Sequence, residues 1–570
     1  MVEVILQGNK LRILIDNTEK DVNYILKKIN LENELSNVMN KVENEDIDGL
    51  NLKDIYLYDG IEVYNFCRGS ICSWMRDILM KYLLIHEIFE EYREFETEII
   101  TDDIIYRDIA IELFKLKCTY KNEEKSNKKS TGKNKAKYYL MMLNRIIRGS
   151  FYMINKLLCE KKKQRILFVT QAADVNKIEI NNNIVNYDAQ FGYVIKDIKK
   201  DVVRMQYLNN DSMIERANKL GNDFIPFELF VIIKRQYAKK FFDESKVKDS
   251  LKILSEFDFM SKGRDLTKIL EKYLFPKMEP TMKSYIMEII TAKLFLEKLK
   301  IDCVLATDEA DRTRCIIWAA NNLNLKTFAI QHGIIADTSD PYMIPSENTD
   351  YVPKKTFLWG KVYKDTLMRD TKVYNDNNLE VVGQPRTDLL INKLKFLNSP
   401  EGNNKLRILY ATQYIWDLTE EATKLFFEAI KDLDNIEVLI KLHPADTYIS
   451  FYQETVKIYG LTNVIITKDM DVYDAIIWSD LIVSVHSTVV IEAAIINKPS
   501  ICILLSNYND QGNFVKNGLS IGASNKEELK NIISNRLYEN PNLKDYIEDS
   551  FYEVDGEVSK RILKVIEESQ

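Results

Sequence analysis

The amino-acid sequence predicts an α/β protein with two doubly wound parallel-sheet domains facing across a cleft, and an additional α/β region ahead of them. Three observations predict this. Short apolar runs of strand length alternate with helical patterns from Arg165 onwards, as in a parallel sheet with helices on both faces. At 570 residues the chain is too long for a single core. Three of its four histidines end such runs, in Gln331-His332-Gly333, Lys441-Leu442-His443-Pro444 and Ser484-Val485-His486-Ser487-Thr488, where a parallel sheet presents ligand contacts.

In chain order, Val2–Leu6 and Leu11–Ile15 read as strands, Ser73–Tyr92 as a long helix and Glu98–Leu116 as a strand-then-helix unit; together they make region 1–120. Lys121–Lys137 is lysine-rich and without apolar periodicity, which reads as an exposed linker. Tyr138–Cys159 is an aromatic-rich helix with basic flanks, and two readings stay open for it: a domain-linking core helix, or a helix lying in a membrane interface. Linker and helix occupy 121–164. The first paired domain is placed at 165–355, with strands Arg165–Thr170, Asp302–Thr307 and Lys326–Ile330 and a helix from about Arg312 to Leu323. Tyr351–Glu380 reads as the crossover between sheets. The second domain, 356–540, takes strands Leu406–Ala411, Glu437–Leu442, Val464–Thr467, Leu481–Val485 and Ser500–Leu505, with helices such as Glu420–Leu433 between them. Residues 541–570 read as a C-terminal helix packing back on the first domain.

Composition removes several function classes. With 79 basic against 86 acidic residues the net charge is −7, so no global basic field attracts nucleic acid. The seven cysteines are scattered, without C-x-x-C pairs or zinc spacing, and are expected to be reduced and structural. Met1–Gln7 lacks the basic and apolar segments of a leader, and no apolar run is long enough to span a membrane. A cytoplasmic protein is expected, with peripheral contact at the inner face of the plasma membrane kept open.

The strongest chemistry lies in the second domain. Ser487 and Thr488 follow a buried strand and open the apolar helix Val489–Ile496, where free backbone N–H groups, hydroxyls and the positive dipole end favour an anionic oxygen. Glu492, one turn on, is placed to reach ribose hydroxyls. His443, held by Pro444 at a strand end, points to the same zone and can donate to a phosphate, adding charge when protonated. Lys441, Pro444 and His486 join this nucleotide-binding set.

Gly383-Gln384-Pro385-Arg386-Thr387-Asp388, Lys441-Leu442-His443-Pro444 and Ser487-Thr488-Val489-Val490-Ile491-Glu492-Ala493 together resemble the C-terminal domain of GT-B glycosyltransferases that act on bacterial surface polymers. The similarity is to CDP-glycerol glycerophosphotransferases, capsule-polysaccharide Kdo transferases and bacterial sialyl- and polysialyltransferases, over about Asp302–Leu505. It implies two Rossmann-like domains, phosphate binding by His443, Ser487 and Thr488, and Glu492 near the ribose. The first domain then supplies the acceptor side and the base. Asp308, Glu309 and His332 are the candidates, because a carboxylate or a histidine at a strand end can take the acceptor proton. Gln331, Gly333, Arg312, Arg314, Arg386 and Gln413 are assigned to donor or acceptor contacts. Sialyltransferases carry an acidic pair followed by glycine, whereas Ala310 follows Glu309; acidic-Gly pairs occur instead at Asp48-Gly49 and Asp59-Gly60. Asp469-x-Asp471 precedes a helix and reads as a cap, not as a metal-binding D-x-D.

The expectation is a metal-independent, inverting transferase without cofactor. It moves a sugar from a nucleotide-activated donor, CMP-linked sialic- or Kdo-type first and CDP- or UDP-linked next, to a surface glycan. A UDP-sugar 2-epimerase and a catalytically silent nucleotide-binding scaffold are the alternatives.

Overall fold

The structure is a computed structural model. It describes the chain apart from residues 1, 8–9, 21, 27, 122–131, 172–174, 181–182, 189, 208–223, 308–310, 336–340, 397–404, 506–509, 511–512, 539–543 and 570.

The N-terminal region contains β1 (Val2–Gln7), β2 (Lys10–Ile15), β3 (Thr18–Lys20), α1 (Leu31–Asn44), α2 (Tyr64–Glu91), β4 (Thr97–Thr101), α3 (Ile104–Glu112) and β5 (Lys117–Tyr120). Its sheet has the order β3-β2-β1-β4-β5, with β1, β4 and β5 parallel and β2 returning as a hairpin. Asp48-Gly49 and Asp59-Gly60, the two early acidic-Gly pairs, are hairpin turns. Asp48 and Gly49 have φ of 52° and 82°, Asp59 and Gly60 of 49° and 81°, the left-handed pair that a type I′ turn requires. The region is not a separate appendage. Residues of α2 share one core with Cys315, Trp318 and Tyr351 of the next domain.

α4 (Gly132–Leu158) leads into the first large sheet, which comprises β6 (Arg165–Gln171), β7 (Asp201–Tyr207), β8 (Ile225–Pro226), β9 (Cys303–Thr307), β10 (Lys326–Ile330), β11 (Lys355–Leu358) and β12 (Leu379–Val381). Its helices include α5 (Phe227–Gln236), α6 (Phe275–Lys298), α7 (Asp311–Asn322) and α8 (Lys361–Asp370). A Cβ on Gly149 of α4 would stand 2.1 Å from Cδ of Pro226, so glycine permits the close approach of α4 to β8. The seven strands run parallel in the order β8-β7-β6-β9-β10-β11-β12. Alternate residues serve opposite faces: Leu167, Val169 and Val304 meet α6 and α7, while Ile166, Phe168 and Leu305 form the core beneath the other face. Both faces are apolar, as a doubly wound sheet demands.

This sheet corrects the domain boundary. Lys355–Leu358 and Leu379–Val381 are its sixth and seventh strands, not a crossover, so the first domain continues past residue 355 to Val381. Thr356, Phe357 and Leu358 are fully buried, which a surface connection would not be.

The second sheet has α9 (Thr387–Phe396), β13 (Leu406–Ala411), α10 (Trp416–Ile430), β14 (Ile436–Lys441), α11 (Ile449–Ile458), β15 (Val464–Thr467), α12 (Val472–Trp478), β16 (Leu481–Ser484), α13 (Val489–Ile495), β17 (Ser500–Ile503) and β18 (Ile521–Ala523). Its parallel order is β15-β14-β13-β16-β17-β18. The chain steps outward from β13 through β14 to β15, then crosses to the far side of β13 at β16. The loops after β13 and β16 therefore flank the switch point, where doubly wound sheets open a crevice at strand carboxyl ends.

Two features join the domains. Val490, Ile491 and Ala494 of α13 share an apolar core with Ile335, Tyr342, Ile344 and Trp359 of the first domain. The helix α14 (Val558–Glu568) lies on the first sheet, where Ile562 and Ile566 pack with Phe168, Leu305 and Phe328. Its first N–H groups, of Val558 and Ser559, donate to the buried carboxylate of Asp388 on α9 at 3.0 and 2.8 Å. Asp388, in the Gly383–Asp388 motif, is thus a clasp between domains.

Candidate functional site

The loops at the switch point are built around one carboxylate. Asp446, 1% exposed, accepts from Thr412 Oγ1 at 3.0 Å, from the Tyr452 hydroxyl at 2.7 Å and from the Tyr448 N–H at 2.7 Å. Its own N–H donates to the His443 carbonyl at 2.9 Å, and Lys468 donates to its carbonyl at 2.5 Å. Thr412 follows β13, His443 follows β14 and Lys468 follows β15, so this residue ties three strand ends together. Apart from His443, neither Asp446 nor its partners were expected from sequence; an aspartate two residues after Pro444 carries meaning only once these strand ends stand side by side.

His443 is half-buried within this frame. Its N–H donates to Thr412 Oγ1 at 3.1 Å, and its Nδ1 accepts from the Ala445 N–H at 3.1 Å. The proton of the neutral ring therefore sits on Nε2, leaving one directed donor. Burial pushes the pKa down to about 4, the nearby Asp446 opposing only in part. This corrects the expectation of a protonated, charged histidine: at neutral pH His443 is an uncharged donor. The ring of Tyr414, itself half exposed, lies against it with centroids 4.8 Å apart.

Across the crevice, Ser487 Oγ accepts the Val489 N–H at 3.3 Å, which leaves the hydroxyl proton free to be donated. Thr488 is the N-cap of α13 and takes helical angles (φ −59°, ψ −16°) without capping through its side chain. Ser487, Thr488 and His486 are half-buried, and burial lowers the His486 pKa. Pro444 is exposed. Gln413, beyond β13, is buried, and its Nε2 has no hydrogen-bond partner among the described residues.

Three assigned contacts are corrected. Glu492 does not reach towards a ribose: it is 1% exposed, 3.3 Å from Arg386, and burial raises its pKa. Arg386 correspondingly serves Glu492. Lys441 spends its ammonium on the carbonyls of Leu442 and Lys468, at 2.9 and 3.1 Å. Asp471 does cap α12, accepting from Tyr473 and Asp474 N–H groups, and pairs with Lys393.

At the first sheet, Asp308 and Glu309 lie outside the described residues. His332 is exposed in the turn after β10, and the space around Gly333 is open. Gln331 is corrected from ligand contact to structural joint. It is fully buried, its Oε1 accepts from the Trp359 N–H at 2.9 Å, its Nε2 donates to the Gly333 carbonyl at 2.8 Å, and its own carbonyl accepts from Trp359 Nε1 at 2.8 Å. Arg314 is likewise structural: buried on α7, it donates to the Asn65 carbonyl at 3.0 Å and to that of Pro341. Arg312 lies 4.8 Å over the Phe227 ring, its Nε 3.9 Å from Glu288, on the flank formed by α5 and α6.

Residues 271–568, more than half of the chain, match the family described as CDP-glycerol:poly(glycerophosphate) glycerophosphotransferase. The chain belongs to this family. It is a transferase, and its two large parallel sheets form two doubly wound domains. Among solved structures, the UDP-GlcNAc 2-epimerase of Neisseria meningitidis bound to UDP-GlcNAc is similar at 13% identity and TM-score 0.44, covering 71% of this chain and 100% of that one. The epimerase of Methanocaldococcus jannaschii gives 15%, 0.44, 71% and 99%. MurG of Acinetobacter baumannii gives 11%, 0.41, 71% and 99%. A search of curated proteins found no match.

Proposed function

We propose that this transferase moves a glycerol phosphate or closely related unit from a CDP-linked donor to the end of a surface polymer. The family match over residues 271–568 carries this reading, since it spans both strand edges on which the candidate contacts lie. It supports CDP-linked donors over the CMP-linked sugars first expected from sequence.

The second domain holds the nucleotide. His443 donates Nε2–H to a phosphate oxygen, and the Ser487 hydroxyl meets the same phosphates from across the crevice. The acceptor hydroxyl attacks the phosphorus of the transferred unit, its bond to the bridging oxygen of the diphosphate breaks, and CMP leaves. The acceptor proton passes to a base of the first domain, one of Asp308, Glu309 or His332. The nucleotide leaves as an anion stabilised by neutral donors, so no metal is required and chelation leaves turnover unchanged.

The deciding experiment follows CMP release from CDP-glycerol with and without a poly(glycerophosphate) acceptor, alongside CMP- and UDP-linked sugars. Acceptor-dependent CMP release supports the reading. Conversion of a UDP-sugar without any acceptor, and none of CDP-glycerol, would replace it with an epimerase.

A further inference from the structure

A cavity of about 560 Å³, the size of a small-molecule site, opens where the N-terminal region meets the first domain. Its walls are α1, the beginning of α2, the connection through Asn51 and Lys53, and residues 343–347 and 370–372. It takes no residue from the second domain, so it is a different place from the crevice at the switch point. Its innermost groups are charged and already matched. Glu43, 8% exposed, accepts from Arg68 Nε and Nη2 at 2.7 and 3.2 Å and from the Tyr64 hydroxyl at 2.5 Å. A lipid tail against this pair would remove water without replacing it, so the floor suits a polar occupant.

Charge and hydrogen-bonding capacity narrow the occupant. The other carboxylates of the wall are answered within the protein: Glu32 by Arg76 at 2.8 and 3.0 Å, Glu347 by Lys372 at 2.8 Å and Asp370 by Arg369 at 2.7 Å. Among the lining cations, Lys53 alone makes no ion pair with a described residue; it meets the charge of Glu347 only at longer range. Beside it the wall offers acceptors. Asn51 Oδ1 is enclosed and accepts no hydrogen bond from a described residue, since the Asp54 N–H is spent on the Asn51 carbonyl at 2.9 Å. The side-chain amides of Asn40 and Asn44 donate to Ser36 Oγ and to the Asn40 carbonyl, at 3.2 and 2.7 Å, which leaves their oxygens to accept. A cationic amine would satisfy these oxygens and be repelled by Lys53, and a bare inorganic anion would do the opposite. Hydroxyl groups on a carbon frame that also carries an anion meet both demands.

We propose that this cavity binds a polyhydroxylated compound bearing one phosphate group, its hydroxyls on Asn40, Asn44 and Asn51 and its phosphate on Lys53. The choice of phosphate over another anion rests on the glycerol phosphate transfer proposed above. Such a unit reaches the cavity as a free compound or as the end of a polymer.

The test is calorimetric titration of the full chain, without donor, by glycerol 3-phosphate and glucose 6-phosphate, with glycerol and inorganic phosphate as comparisons. At least one of the two phosphate esters is expected to bind at least about tenfold more tightly than either comparison, and salt should weaken it. Lys53→Ala and Asn51→Ala should each lower that affinity, the first by at least about tenfold, as for a lost bond to a charged oxygen. Lys53 is only partly buried, so an unchanged melting curve verifies that its variant is folded. Saturating CMP should leave the binding in place. Tighter binding of a short glycerophosphate oligomer than of the monomer assigns the cavity to a polymer end, and the reverse order assigns it to the free compound. Affinity no greater than for inorganic phosphate, undiminished binding by Lys53→Ala, or displacement by CMP overturns the proposal. The titration holds neither donor nor acceptor, so its failure is separate from a failure of CMP release.

Discussion

The two sheets end in histidines of opposite character. At the second, His443 is half-buried, fixed through Nδ1 and backed by the Asp446 network; at the first, His332 stands in solvent beside a glutamine wholly committed to the adjacent strand. The same residue at equivalent places in two doubly wound sheets thus does different physical work. A preorganised donor loses little entropy when a phosphate arrives, which suits tight ground-state binding. An exposed imidazole keeps its conformational freedom and its access to solvent, which suits an acceptor side.

Breaking Asp446 tests the contrast most severely. Asp446→Ala leaves the buried Thr412 and Tyr452 hydroxyls and the Tyr448 N–H without their acceptor, at a cost of roughly 3 kcal/mol or more, readable in urea unfolding. Nucleotide affinity is expected to vanish with it. A variant of wild-type stability would show that the three strand ends are held by something else.

The pH response is the next largest. The folded pKa of His443 is about 4 against 6.5 for the ordinary side chain, so between these values the unfolded chain binds more protons. Its contribution to stability is complete above pH 6.5 and is lost as pH falls towards 4, by at most about 3 kcal/mol. His443→Gln should flatten that part of the stability profile.

His443→Ala is expected to weaken nucleotide binding by about 10- to 100-fold in calorimetry, the worth of one hydrogen bond to a charged oxygen. His332→Ala should leave that affinity intact and act, if His332 is the base, on turnover alone by roughly 10²–10⁴-fold. Equal effects of both on affinity would erase the contrast.

The smallest effect separates joint from site. Gln331→Ala should cost about 1–2 kcal/mol, by orphaning the Trp359 N–H, and leave nucleotide affinity unchanged. Altered affinity would return Gln331 to the binding set.

Much of this was legible in the sequence. The strands Leu406–Ala411 and Val464–Thr467 lie where their apolar runs end, because both faces of a doubly wound sheet are buried and leave continuous hydrophobic stretches. Lys355–Leu358 and Leu379–Val381 escaped because runs of four and three residues are too short to show a period. At the site, His443 could be found from its place at a strand end, whereas Asp446 and Asp388 act on residues distant in the chain or on strand ends assembled only by folding. Gln331, Lys441 and Glu492 misled for one reason: a polar side chain at a strand or helix end can be consumed by the neighbouring backbone or a partner charge as readily as by a ligand. For α4 the pattern gave an amphipathic helix, and only tertiary structure could say which face is covered.

Helix α14 also sets a timetable for synthesis. The face it covers, with Ile166, Phe168, Leu305, Phe328, Phe357 and Val382, is complete once Val382 has been made, yet Ile562 emerges 180 residues later. At roughly 5–20 residues per second that is about 9–36 s during which a finished parallel sheet waits with one apolar face bare. The nascent chain is most exposed to aggregation, and to capture by chaperones, in that interval, and a product lacking Val558–Glu568 would never leave it.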